Sequence, residues 1–141
     1  MSITLRRVGP DDVALFAQIA PDVYDEPIDP ARLAVYLQAP GHILVVAMMD
    51  GTIVGQCAGV VHLHPDKTAE LYVDEVGTAT THRRQGIARL MMDELFAWGR
   101  ELGCTEAWLG TETDNEAAKG LYRRFQPSED QTIQYFEFKL D

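Results

Sequence analysis

The amino-acid sequence predicts an α+β fold: a mixed, mostly antiparallel sheet flanked by helices. Short apolar runs of strand length alternate along the chain with segments of helical periodicity. An Asp50-Gly51 pair separates two of these runs, which is the pattern of a two-residue β-hairpin. A strand, a helix and a strand follow one another over residues 70–110, which predicts a right-handed parallel crossover. The 141 residues, 46% of them hydrophobic, suffice for a single domain spanning residues 1–141.

Turn and capping residues divide the first half of the chain into its elements. Asp11 or Asp12 can cap a helix after Gly9-Pro10, and the acidic, proline-rich segment 21–30 has the composition of a loop. The expected elements are a strand at Ile3–Arg7, a helix to about Ile19, a helix from Pro30 to about Gln38, and the hairpin strands Ile43–Met49 and Thr52–Leu63.

A strand at Glu70–Thr78 leads into the most strongly patterned helix of the sequence. Gly86 precedes this helix, and Gly103 is suited to end it, because glycine readily adopts the left-handed conformation found after helices. Helical spacing predicts a buried face made of Ile87, Leu90, Met91, Leu95, Trp98 and Leu102.

The last third of the chain is predicted to hold two strands and one helix. A short strand is expected at Glu106–Gly110. The tetrapeptide Thr113–Glu116 matches a capping box, so a helix should follow and run to about Phe125. Weak alternation over Thr132–Leu140 predicts a strand that closes the sheet, and Gln131–Leu140 could instead pair with a second chain in a homodimer.

Net charge and cysteine usage narrow the class of protein. With 22 acidic and 12 basic side chains the net charge is −10, which argues against nucleic-acid binding. No apolar run is long enough to span a bilayer, and the N-terminus does not resemble a signal peptide, so no membrane partner is expected. Cys57 and Cys104 form no CxxC pair and are expected to be reduced thiols of a cytoplasmic protein.

A basic segment with one glycine opens the patterned helix. The first turn of a helix has backbone N–H groups without internal partners and a partial positive charge. A glycine lets a bulky anion approach these groups, and Arg83 and Arg84 add forked hydrogen-bond donors. Residues Arg83–Ala88 therefore predict a phosphate site, and a charged loop with a glycine for geometry is the alternative.

Two motifs give the sequence a specific resemblance. The R-x-x-G-x-A pattern at Arg83–Ala88 resembles the acetyl-CoA motif of GNAT-type N-acetyltransferases. The segment Asn115–Tyr122 resembles the N-x-x-A-x-x-L-Y segment of the same family, and the strand order also fits. The resemblance covers nearly the whole chain. The chain departs from the family at Arg123–Pro127, where a usual glycine is missing.

The resemblance implies acetyl-CoA as co-substrate, held in a cleft between the strands at 70–78 and 106–110. The pantetheine arm would pair with the exposed strand edge, and backbone N–H groups at the helix start would hold the pyrophosphate. The implied coenzyme-binding residues are Val76, Gly77, Thr78, Arg83, Arg84, Gln85, Gly86, Ile87, Ala88, Asn115, Ala118 and Tyr122.

The implied chemistry needs a base for the protonated amine and an acid for the departing thiolate. Glu75 is favoured as the base and Asp74 is the alternative, because neighbours on a strand point to opposite faces and only one should reach the acceptor. Tyr122 matches the family's acid, although its apolar neighbours also fit a core position.

The acceptor is expected to be a cationic amine. Resemblance to the aminoglycoside N-acetyltransferases that modify the 3-amino group suggests an aminoglycoside and a role in antibiotic resistance. The expected acceptor-binding residues are Asp22, Asp25, Glu26, Asp29 and Glu75. Peptide or protein amines, and a non-catalytic acyl-CoA-binding module, are the alternatives.

The histidines at the end of the third predicted strand suggest a metal site as an alternative. His62 and His64, with Asp66 nearby, could be ligands on one strand face, but no third histidine lies at a telling distance. The expectation is therefore that the protein holds no metal.

Overall fold

A five-stranded sheet forms most of the first of two compact units. The computed structural model describes residues 2–141, with the first unit ending at Leu109 and the second beginning at Gly110. Neighbouring strands are antiparallel except the last pair, which is parallel. This confirms the predicted mixed sheet. In spatial order the strands are β1 (Thr4–Arg7), β2 (His42–Met49), β3 (Thr52–His62), β4 (Glu70–Thr78) and β5 (Glu106–Trp108).

The predicted β2–β3 hairpin is confirmed. Asp50 and Gly51 have φ angles of 52° and 77°, so both adopt the left-handed conformation that a tight hairpin turn requires. The two strands carry the centre of the core, where Val45, Val46 and Ile53 are fully buried.

Helix α2 (Ile87–Glu101) packs on one face of the sheet, but its buried face differs from the predicted one. Leu90 and Leu102 are 47% and 48% exposed, so their expected burial is wrong. Met92 and Gly99 are buried with Ile87, Met91 and Leu95. The helix packs closely at Gly99, where a Cβ would lie 2.9 Å from Leu71 Cδ2, so this glycine faces β4.

The first predicted helix is also corrected. A short 3-10 helix at Val13–Ala17 replaces it, and the Asp12 carboxylate accepts a hydrogen bond from Gly9 N (2.7 Å) instead of capping the helix. Helix α1 (Pro30–Gln38) has the predicted bounds. Asp29 caps it, since its Oδ1 accepts from the N–H groups of Ala31 and Arg32 at 2.9 and 3.1 Å.

The second unit contains α3 (Glu116–Arg123). The N-cap is Asn115, whose Oδ1 accepts from Ala118 N at 3.0 Å, so the predicted capping box at Thr113–Glu116 is wrong in its cap residue. The predicted strand at Thr132–Leu140 is also wrong, because no residue described from Gly110 onward is in a strand. Its alternation is weak, since Tyr135 and Phe136 are adjacent, and both are at least 70% exposed.

Both cysteines are free and buried. Burial raises the pKa of the Cys57 thiol to about 12, so it stays protonated at neutral pH. Within residues 2–141, no helix combines the length and the apolarity that crossing a membrane requires.

Two leucines of α2 provide a matched test of the corrected helix face. Leu95→Ala should lower the free energy of unfolding by about 2–5 kcal/mol, because Leu95 is fully buried. Leu90→Ala, on the same helix but half exposed, should cost less than about 1 kcal/mol. Urea denaturation measures both changes, and equal losses would contradict this placement of the helix.

Candidate functional site

The edge of β4 that faces β5 is paired only at its beginning. Glu70, Leu71 and Tyr72 align with Glu106–Trp108, and β4 then continues to Thr78. Among the described residues, no strand pairs with Val73–Thr78 on that side. The predicted coenzyme-binding residues Val76, Gly77 and Thr78 all lie in this stretch. Its main-chain groups can therefore pair with an extended ligand, as a further strand would.

A β-bulge interrupts the other side of β4. Glu75 aligns with Ala58 and Val73 with Gly59, so Asp74 is an extra residue without a partner on β3. On a regular strand neighbouring side chains point to opposite faces, so only one of Asp74 and Glu75 was expected to face the acceptor. The bulge interrupts this alternation, so that argument no longer applies. Asp74 and Glu75 both act electrostatically on the hydroxyl of Tyr36 in α1.

Two tyrosines that the sequence did not single out lie within electrostatic range of Glu75, and Tyr36 is also within range of Asp74. Burial, with Asp74 and Glu75 nearby, raises the pKa of Tyr36 to about 12. Burial, with Tyr36 and Glu75 nearby, also raises the pKa of Tyr24. Both phenols therefore stay neutral at physiological pH and can donate hydrogen bonds. Tyr24 could have been found from its position within the acidic loop. Nothing in the sequence distinguishes Tyr36 from the other residues of its helix.

Glu75 has the electrostatic environment of a base. Partial desolvation raises its pKa above the ordinary carboxyl value, and the negative charges of Asp25 and Asp74 raise it further. A hydrogen bond from the Gln56 side chain acts in the opposite direction. A carboxylate whose pKa is moved toward neutrality takes up a proton more readily.

Three of the four loop carboxylates that were predicted to bind the acceptor lie around one shallow pocket. Asp22, Asp25 and Glu26 line this pocket together with Tyr24. Asp22 also accepts a hydrogen bond from Thr80 Oγ1 at 2.6 Å, which ties the loop to the segment before α2. Asp29 is engaged differently, since its carboxylate caps α1.

The loop lies directly over β4 at Gly77. A Cβ on Gly77 would lie 2.4 Å from the Val23 carbonyl oxygen, so only glycine allows this approach. Val23 itself is 2% exposed, which anchors the loop in the core. The loop start is pinned to β3 by two backbone hydrogen bonds of 2.9 Å, from Ala20 N to Ile53 O and from Ile53 N to Gln18 O.

The start of α2 has the features of an anion site. Gly86 precedes the helix with φ 76°, and Arg84 has φ 64°. Within residues 2–141, no carbonyl or side chain accepts a hydrogen bond from the amides of Arg84–Ala88; the first amide of the helix that is bonded is Leu90 N, to Gly86 O at 3.1 Å. The side chains of Arg83, Arg84 and Gln85 are exposed around these amides. Several unpaired N–H groups thus lie together with two cationic side chains.

The remaining predicted site residues belong to the second unit or to the metal alternative. Asn115 and Ala118 are joined by the N-cap hydrogen bond of α3, and Tyr122 is half-buried on the same helix. The rings of His62 and His64 lie 4.4 Å apart, and His64 pairs with Glu70. The described residues contain no group of three or more side chains suited to hold a metal ion.

Comparison with known proteins links this geometry to one family. The pattern of the Acetyltransferase (GNAT) family matches residues 13–126. An aminoglycoside N(6')-acetyltransferase type 1 from Acinetobacter haemolyticus is 24% identical over 70 residues, which are 50% of this chain and 48% of that protein. The chain thus aligns with about half the length of this curated relative.

Solved structures show the same fold. An aminoglycoside acetyltransferase from an uncultured soil metagenomic sample, in complex with sisomicin, superposes with a TM-score of 0.86 at 18% identity, covering 99% of this chain and 97% of the other. AAC(6')-Iy, in complex with a bisubstrate analogue of CoA and acetylneamine, gives a TM-score of 0.78 at 17% identity, covering 99% and 100%. The aminoglycoside enzymes whose names specify a position are of the 6' type, so the resemblance to the 3-amino enzymes is not confirmed.

Gly77 offers a test of the contact between loop and strand. Gly77→Ala should lower the free energy of unfolding by about 1–3 kcal/mol, because the new Cβ must push away a backbone carbonyl. Amide hydrogen exchange should accelerate in the loop around Val23. Gly110→Ala is the matched control, since a Cβ there meets nothing within 4 Å. Unchanged exchange in the Gly77 variant would show that the loop does not rest on β4.

Proposed function

The chain belongs to the acetyltransferase (GNAT) family, and on this premise we propose that it moves an acetyl group from acetyl-CoA to a primary amine of a cationic small molecule. One observation carries the proposal: Glu75, a carboxylate with a raised pKa, lies on the strand whose edge is free beyond β5. Such a position lets one strand present both the thioester and the base.

The main-chain donors support the binding of acetyl-CoA. The unpaired amides of Arg84–Ala88, with the guanidinium groups of Arg83 and Arg84, suit the diphosphate of the coenzyme. The free edge at Val76–Thr78 suits the amides of the pantetheine arm. A backbone N–H of this edge would stabilise the oxyanion that forms on the thioester carbonyl.

The transfer requires two protons to leave the acceptor nitrogen and one to reach the sulfur. The Glu75 carboxylate accepts the first proton from the ammonium form of the acceptor, and the free amine nitrogen then attacks the thioester carbon. The C–N bond forms, the C–S bond breaks and the sulfur leaves as a thiolate, while the nitrogen loses its second proton to solvent and the product is a neutral amide. By resemblance to the family, we propose Tyr122 as the acid that protonates this thiolate. With a thiol pKa near ~8.5, the thiolate needs only modest help to leave.

The acidic loop supports a polycationic acceptor. Asp22, Asp25 and Glu26 line the pocket beside Tyr24, and Asp25 is close enough to Glu75 to raise its pKa. An acceptor with several ammonium groups would offset the repulsion among these carboxylates. Aminoglycosides fit this description, and the aminoglycoside relatives support the same class. Acetylation of such compounds would confer antibiotic resistance on a cell, and the free cysteines are consistent with a cytoplasmic location.

An acceptor screen tests this proposal. Acetyl-CoA is incubated with the purified protein and aminoglycosides, polyamines or N-terminal peptides, while released thiol and product mass are measured. We expect polycationic amines to be acetylated, and NMR of the product identifies whether the 6'- or the 3-amino group reacts. Tight binding of coenzyme A without acetylation of any amine would instead indicate a binding module.

Glu75→Gln tests the base in the same assay. The variant should lose about 10²-fold in kcat near pH 7 with the KM for acetyl-CoA unchanged. Because the pKa of Glu75 is raised, its carboxylate form is lost as pH falls through that pKa, so wild-type kcat should decline on the acidic side above the ordinary carboxyl range. The variant should lack this decline. Asp93→Asn, which removes an exposed charge on α2, is the control. Full activity of Glu75→Gln across pH would exclude Glu75 as the base.

A further inference from the structure

Gln56 is a buried polar side chain in the apolar core of β3. It is fully buried, and its neighbours along the strand are hydrophobic residues or glycine. Gly55 and Gly59 lie on the face of β3 that approaches α2. Successive residues of a strand point to opposite faces, so Gln56 points away from α2 and toward the acidic loop. Buried polar side chains in native proteins normally have hydrogen-bond partners.

The carboxamide reaches both the loop and the proposed base. Gln56 Nε2 donates to the Val23 carbonyl oxygen at 3.5 Å. Gln56 aligns with Gly77 across the strands, and Glu75 lies two residues before Gly77 on the same face. The missing side chain of Gly77 leaves the space through which the carboxamide extends, since a Cβ there would lie 3.3 Å from Nε2. The carboxamide is also close enough to Glu75 to lower the pKa of its carboxyl group.

The orientation of this amide is fixed by its two acceptors. The Val23 carbonyl and the Glu75 carboxylate can only accept, so the NH₂ group must face them. Consequently Gln56 Oε1 is buried without a hydrogen-bond partner among the described residues. An unsatisfied buried acceptor is uncommon in native proteins. In this arrangement the NH₂ group is the part of the carboxamide that has a hydrogen-bond partner.

We propose that Gln56 is a positioning residue for acetyl transfer, whose carboxamide holds the Glu75 carboxylate and fastens the acidic loop over β4 at Val23. This inference rests on the proposed function of Glu75 as the base. One buried amide thereby joins the group that accepts the proton to the loop that surrounds the acceptor. The other groups that act on Glu75 are Asp74 of β4, Asp25 and Tyr24 of the loop, and Tyr36 of α1.

Gln56→Met tests this role, because methionine has nearly the shape of glutamine but lacks the NH₂ group that donates to Val23 and acts on Glu75. The pKa of Glu75, followed by NMR with ¹³C-labelled glutamate, should rise by about one unit. The acidic decline of kcat should move to higher pH by the same amount, with the KM for acetyl-CoA unchanged. Hydrogen exchange of the loop around Val23 should accelerate.

Val54→Ala is the matched control, since Val54 is a buried residue of β3 close to Gln56, and its side chain has no group that can hydrogen-bond Glu75. It should destabilise the protein without moving the Glu75 pKa. The inference is overturned if Gln56→Met leaves that pKa unchanged, or if Val54→Ala moves it equally. A wild type that acetylates no amine would refute the proposed function, whereas the pKa comparison would still decide the role of Gln56.

A measurement on the wild type covers the case in which Gln56→Met fails to fold. The ¹⁵Nε2 resonance of Gln56 should titrate with the same midpoint as the Glu75 carboxyl, because the carboxamide lies close to the group whose charge changes. A Gln56 resonance that stays constant while Glu75 titrates would overturn the inference.

Discussion

The hydrogen-bond register of β4 is the constraint on which the candidate site depends. Its pairing with β5 ends at Tyr72, and its pairing with β3 is displaced by one residue at Asp74. The first feature leaves the main chain of Val73–Thr78 free on one side. The second interrupts the alternation of side chains at Asp74 and Glu75, whose charges both act on Tyr36. A strand that paired along its full length on both sides would have no open edge.

The candidate site combines carboxylates that repel one another with uncharged tyrosine hydroxyls that can donate hydrogen bonds. Asp25, Asp74 and Glu75 carry like charges, and their mutual repulsion contributes to the raised pKa of Glu75. Tyr24 and Tyr36 remain protonated in the same environment and cannot add further negative charge. The cluster thus favours uptake of one proton or of a cationic ligand. The structure tolerates this repulsion because three contacts hold the loop in place. These are the burial of Val23, the backbone hydrogen bonds to Ile53, and the hydrogen bond from Thr80 to Asp22.

Local signals in the sequence predicted the features that depend on a few neighbouring residues. Asp50-Gly51 predicts its hairpin because both residues accept left-handed conformations, and Gly86 marks a helix start whose amides lack partners. The bulge at Asp74 depends on pairing with a distant strand, so alternation along β4 alone could not reveal it. Tyr36 resembled a core residue of an amphipathic helix. Gln56 did leave a signal, as a lone polar residue in the run Ile53–Val61, although its partners Val23 and Glu75 are far away in sequence.

The most direct test of the account follows the backbone amides of ¹⁵N-labelled protein while coenzyme A is added. The amides of Arg84–Ala88 and of Val76–Thr78 should shift together and become protected from hydrogen exchange. Inorganic pyrophosphate alone should affect the first group, and pantetheine alone the second. Saturation with coenzyme A that leaves both groups unchanged, with shifts confined to other residues, would contradict the assignment of this corner and strand edge as the coenzyme site.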